Sequence, residues 1–134
     1  MAASTLASKS FGGAEMIKPD IDVDAVFLCR KPVDMRCQMN GLSSIVEGVL
    51  NQSPFSGALF VFTNKARDRL KILCWQTNGF VLYYKKLEAE KFSWPVKENK
   101  ESITITGKEL HWLLDGYNIF DLKPHAKLKY SLVN

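Results

Sequence analysis

Four basic side chains, Lys65, Arg67, Arg69 and Lys71, crowd around one acid, Asp68, in the stretch TNKARDRLK. A net +3 in nine residues suits a phosphate backbone, because ammonium and guanidinium groups neutralise phosphates without reading sequence. The aromatics Phe60, Phe62, Trp75 and Tyr84 come from the runs on either side, and an exposed ring there would stack on a base. A charged loop is also what a water-exposed hairpin needs, so a nucleic-acid grip and a solvated turn both remain open. Upstream, Asp34-Met35-Arg36 joins a carboxylate and a guanidinium within one turn's reach. The fork of Arg36 fits a planar anion such as phosphate; the alternative is a local ion pair that braces the connection. Lys85 and Lys86 add charge beyond the loop, diluted by Glu88 and Glu90.

Other chemistries find less to work with. Nucleophilic catalysis needs a base beside Ser, Cys or Thr, and neither His111 nor His125 has a recognisable nucleophile setting. Phosphate-cradling glycine motifs and the HExxH zinc motif are absent. Asp20, Asp22 and Asp24 recur at period two, yet they lack the glycine and downstream glutamate of a calcium loop and read as a solvated edge. Cys29, Cys37 and Cys74 are odd in number and without CxxC spacing, which predicts reduced thiols rather than zinc. No catalytic residue, metal or cofactor is expected.

These groups need elements to hold them. With 134 residues and 46% hydrophobic content the chain can fold around one core, and its charge of +4 favours polyanionic partners. Residues 1–16 read as a disordered leader, 17–122 as the domain and 123–134 as a basic tail. No run is long enough to span a membrane and no secretion signal is visible, so a cytoplasmic location is expected. Asp24–Arg30 predicts a first strand, stopped by Lys31-Pro32. Leu42, Ile45, Val46, Val49 and Leu50 share one helix face, predicting a helix over about 41–51 with Asn40 as its cap.

GALFVFTN, LKILCWQ and GFVLYYKK predict a three-stranded antiparallel meander. A two-residue turn at Asn78-Gly79 would set Trp75 opposite Leu82, Leu73 opposite Tyr84 and Lys71 opposite Lys86 on one face. Leu70, Ile72, Cys74, Val81 and Tyr83 would take the other. Both faces are largely apolar, so helices or a partner must cover each. SITIT alternates like a strand. TGKELHWLLDG then predicts a second helix over about 107–115, with Thr106 and Glu109 at capping-box spacing and Gly116 at its end. Trp94-Pro95 reads as a plug at one end of the sheet, or as part of a peptide-docking groove. The fold class is α+β, with a central antiparallel β-meander and two amphipathic helices in a single domain.

The order of these motifs resembles the small accessory protein of insertion sequence 66 family elements, called Orf2 or TnpB. The resemblance rests on DMRCQMNGL, on PFSGALFVFTNKARDRLKILCWQTNGFVLYYKKLEAEKFSWP and on ITGKELHWLLDGYNI. It falls on Asp34, Met35, Arg36, Gly41 and Leu42; on Gly57, Leu59, Phe60, Val61 and Phe62; on Asn78, Gly79 and Phe80; and on Lys86, Leu87, Glu88, Trp94 and Pro95. The chain departs from the pattern at Cys37, where a basic residue usually follows, and at Cys74, where an aromatic is common. The resemblance implies a role in transposition, with strand cutting and joining left to a larger transposase. The RNA-guided nuclease that shares the name TnpB is a different protein.

The expected function is therefore a non-catalytic accessory factor that contacts DNA with Lys65, Arg67, Arg69, Lys71, Lys85, Lys86 and Arg36. The alternative is an adaptor that docks the transposase, or a second copy of itself as a homo-oligomer, through Trp75, Tyr84 and Trp94.

Overall fold

The computed structural model describes Pro19 and residues 25–95 and 99–120. The expected leader, the Asp20–Asp24 run and the basic tail lie outside the described residues, apart from Pro19. Strand β1 (Val26–Cys29) leads into helix α1 (Met39–Gly48), then β2 (Leu59–Thr63), β3 (Arg69–Gln76), β4 (Gly79–Lys86), β5 (Ser102–Ile105) and helix α2 (Gly107–Leu114).

The strands form one five-stranded sheet in the order β4-β3-β2-β1-β5. The expected meander is its β2-β3-β4 half, antiparallel throughout. The sheet as a whole is mixed, because β1 lies parallel to β2. A parallel pair needs a crossover, and α1 supplies it. The SITIT strand, β5, closes the far side by pairing antiparallel with β1.

Period-two alternation divides the apolar residues between two layers. Val26, Leu28, Leu59, Val61, Leu70 and Ile72 face α2, where Leu110, Leu113 and Leu114 meet them together with Phe92, Trp94 and Ile119. Phe60, Phe62, Leu73 and Cys29 face α1 and meet Leu42, Val46 and Leu50. Each fully buried Leu or Phe in these layers contributes about 1.5–3 kcal/mol of hydrophobic stabilisation.

The two helices differ in how their ends are made. Helix α2 has the expected capping box, with Thr106 and Glu109 each bonding the other's backbone N–H. It ends at Gly116 (φ 96), where the N–H of Gly116 reaches Leu113 and that of Tyr117 reaches Trp112, a Schellman pair of bonds. Helix α1 starts earlier than its apolar face suggested. Gln38, not Asn40, is its N-cap and makes no side-chain cap bond, while the Asn40 carbonyl accepts from the Ser43 and Ser44 hydroxyls.

The β3–β4 register also differs from expectation. Thr77 (φ 54) and Asn78 form the turn, so Trp75 pairs with Phe80, Leu73 with Leu82, Lys71 with Tyr84 and Arg69 with Lys86. A left-handed threonine is costly. This register gains an edge-to-face Trp75–Phe80 contact at 5.0 Å, with Phe55 packed against both rings, and separates Lys71 from Lys86. Every partner shifts by two residues, so each side chain keeps the face expected for it.

Candidate nucleic-acid interface

The basic loop between β2 and β3 is built around Asn64. Its Oδ1 accepts from the N–H groups of Asp68 (3.2 Å) and Arg69 (3.1 Å), and its Nδ2 donates to Asp68 Oδ1 at 2.8 Å. That side-chain bond holds the Asp68 carboxyl below its ordinary range. Arg67 takes the left-handed conformation (φ 62), and its carbonyl accepts from the Phe92 N–H at 2.7 Å. The Thr63 hydroxyl donates to the Arg69 carbonyl at 2.7 Å. The loop is fixed at both ends, which pre-sets the directions of its cations.

The seven cations expected at phosphate do not all stand together. Lys71 is only 5% exposed. Its Nζ donates to the carbonyls of Met35 and Cys37 at 2.8 Å each and lies 5.8 Å from the centroid of the Tyr84 ring. Its job is internal, tying the β1–α1 connection to the sheet. Lys85 points to the opposite face, where its Nζ donates to the Leu114 carbonyl at 2.5 Å, a cation at the C-terminal end of α2.

Arg36 is 92% exposed in its side chain, yet its fork holds Asp34 through bonds of 2.7 to 3.1 Å. The Arg36 guanidinium keeps the Asp34 carboxyl down at about 2. The local ion pair is thus the arrangement present at this step of the chain.

Lys65, Arg67, Arg69 and Lys86 remain at the loop and its rim. Lys65 and Lys86 are exposed, Arg67 and Arg69 partly buried. Arg69 sits directly across the ladder from Lys86, a like-charge pairing that ordinarily destabilises a sheet. Its Nε is buried without a hydrogen-bond partner, the one such side-chain atom among the described residues. Beside it runs an open groove of about 950 Å³ between the β1–α1 connection and the hairpin, lined by Arg36, Lys65, Arg69, Lys71, Leu82 and Tyr84 among others.

Behind the loop a smaller cavity of about 210 Å³ brings Arg30 beside Lys65 and Arg67. Arg30 was not among the expected contacts. Its Nε donates to the Lys100 carbonyl at 2.8 Å, a partner seventy residues away that no local pattern announces.

The three aromatics expected at a protein partner also separate. Tyr84 is 53% exposed at the groove, and Trp75 is half-buried under Phe55, itself 56% exposed. Trp94 lies in the core, its Nε1 donating to the Cys29 carbonyl at 3.1 Å, so it plugs the sheet and offers no docking surface. Burial pushes the Cys29 thiol up to about 11, and all three cysteines are free thiols. His111 Nε2 lies 2.6 Å from the Pro19 carbonyl, a structural contact. Among the described residues no group of three or more His, Cys, Asp or Glu could hold a metal ion, and no helix is long and apolar enough to cross a membrane.

Residues 24–124 match the family described as IS66 Orf2 like protein. The chain belongs to this family. As an IS66 Orf2-like protein it is associated with an insertion sequence, and the match spans every strand and helix described above. Two relatives from Sinorhizobium fredii (strain NBRC 101917 / NGR234) share its pattern. Uncharacterized protein y4jC is 40% identical over 70 residues, 52% of this chain and 60% of the relative. Uncharacterized protein y4hO is 34% identical over 91 residues, 68% of this chain and 78% of the relative. The chain thus aligns with under two thirds of y4jC and over three quarters of y4hO. No solved structure matches the chain significantly.

Proposed function

We propose that this IS66 Orf2-like protein is a non-catalytic accessory factor of transposition that acts in the cytoplasm and holds DNA by its phosphates beside the 64–68 loop. Lys65, Arg67, Arg69 and Lys86 make the contacts, Arg30 adds to the field behind the loop, and Lys71 and Lys85 brace the fold beneath them. Arg36 joins when its fork exchanges Asp34 for a phosphate.

The observation that carries the reading is Arg69. A buried donor without a partner costs about 1–3 kcal/mol, and a second cation directly opposite adds a repulsion that the single Asp68 carboxylate beside the two cations offsets only in part. A phosphate at the groove adds to Asp68 a second counter-charge for Arg69 and Lys86, met by the outer nitrogens of the Arg69 fork while Nε stays buried. The open ring of Tyr84 beside the groove offers a stacking surface for an unpaired base. None of these contacts reads a base edge, so binding is sequence-tolerant.

Tyr84 also supports a second reading, an adaptor that docks the transposase, because α1 leaves this part of the sheet face open. A salt titration with element-end and unrelated duplexes, with and without purified transposase, separates the two. The DNA reading expects both duplexes to bind without transposase and to weaken steeply with salt. Binding only in the presence of transposase moves the function to the adaptor.

A further inference from the structure

Strand β4 is a long edge whose only charged residues, Lys85 and Lys86, stand at its C-terminal end. Among the described residues it pairs only with β3, through eight consecutive residues in unbroken register, with neither proline nor bulge. The opposite edge, β5, has four residues and alternates Ser102 and Thr104 with its isoleucines.

The ladder fixes which groups of β4 look outward. Leu87 N–H donates to the Asp68 carbonyl at 2.8 Å, so the odd-numbered residues of this strand turn their backbone bonds toward β3. The N–H and C=O groups of Phe80, Leu82, Tyr84 and Lys86 therefore point to the free edge. Their side chains occupy the open face, where Tyr84 is exposed and Phe80 and Leu82 are half-buried.

We infer that two copies of this chain join through β4 into one continuous sheet, antiparallel about a two-fold axis at Leu82. Charge selects the direction. Parallel pairing would set Lys85 and Lys86 beside their own copies, whereas antiparallel pairing sends them to opposite ends of the joint. Register selects the axis. With Leu82 opposite Leu82, Phe80 of each copy meets Tyr84 of the other, and residues 80–84 pair with no charge among them. Moving the axis to Tyr84 would bring Lys86 across from Leu82.

In this arrangement Leu82 exchanges both backbone bonds with its symmetry mate, and the alternate groups along the edge are satisfied in turn. Both open faces lie on one side of the joined sheet, so the two grooves face the same way. The joint is made of edge backbone and apolar side chains, and it does not depend on DNA binding.

Sedimentation equilibrium of the full chain tests it, with a monomer–dimer equilibrium expected. Leu82→Lys places two ammonium groups at the axis and is expected to leave a monomer. Leu82→Cys in a Cys37→Ser background is expected to give a disulfide-linked dimer, because a hydrogen-bonded pair holds its Cα atoms about 5.5 Å apart, within disulfide reach. Thr104→Cys in the same background, on β5, is expected to give none. A monomer at every concentration overturns the inference, as does a dimer that Leu82→Lys leaves intact. Should Leu82→Lys fail to fold, the cysteine pair decides, and linkage at Thr104 without linkage at Leu82 overturns it. DNA binding by a protein that stays monomeric would overturn only the joint and leave the proposed function standing.

Discussion

The β3–β4 hairpin presents two faces of similar make-up that meet different fates. On one, Leu70, Ile72, Cys74 and Tyr83 are closed over by α2, Phe92 and Trp94, and Lys85 ends on the last carbonyl of the helix. On the other, α1 covers Leu73 but leaves Leu82 and Tyr84 at an open groove, with Lys71 buried and Lys86 exposed. A helix that packs on Phe60, Phe62 and Leu73 reaches only part of a five-stranded sheet. The teaching is that a lysine's role here is set by what its face meets, since Lys71 and Lys85 act as internal fasteners while Lys65 and Lys86 remain available to an anion.

The largest expected effect attacks the closed face. Trp94→Ala removes a buried indole and its bond to Cys29, and should lower stability by about 3–5 kcal/mol, read from the urea midpoint. A loss below about 1 kcal/mol would mean that the plug is not part of the core.

Next, paired substitutions divide the cations. Lys71→Met keeps the stem but strips the carbonyls of Met35 and Cys37 of their donor, costing about 1–3 kcal/mol and leaving the salt dependence of DNA binding nearly unchanged. Lys65→Met should do the reverse, changing stability by less than about 0.5 kcal/mol and weakening DNA binding. Equal behaviour of the two would erase the distinction between fastener and contact.

Much of this arrangement was readable in advance. The strands of the meander, both amphipathic faces and the capping box of α2 follow from period-two and period-3.6 patterns and from local cap chemistry. The cation roles were not readable, because the carbonyls that engage Lys71 and Lys85 belong to residues 36, 34 and 29 positions away. The Thr77–Asn78 turn is not legible locally for a related reason, since Asn78-Gly79 is the better local turn and the Trp75–Phe80–Phe55 packing outweighs it. The parallel β1–β2 pairing depends on a crossover and leaves no periodic trace.

The smallest effect concerns Asp34. The Arg36 guanidinium holds the folded-state Asp34 carboxyl down at about 2, below its ordinary value of 3.8, so its contribution is present above about pH 3.8 and is lost as pH falls through about 2. Both side chains face solvent, so the change in stability is slight, and carboxyl-carbon NMR is the suitable readout. Arg36→Gln should raise the midpoint of Asp34 toward the ordinary range without reaching it, because the backbone N–H of residue 36 still donates to Asp34 Oδ1 at 2.8 Å. An unchanged midpoint would assign the shift to something other than the fork.

The central claim is that four cations around one fixed loop meet phosphate. The most direct test measures duplex affinity against salt for the parent and for a variant with Lys65, Arg67, Arg69 and Lys86 each changed to Gln. Each lost phosphate contact should reduce the slope of log affinity against log salt by about 0.9, alongside weaker binding to every duplex. A folded variant that binds as tightly as the parent, with the same slope, would contradict it.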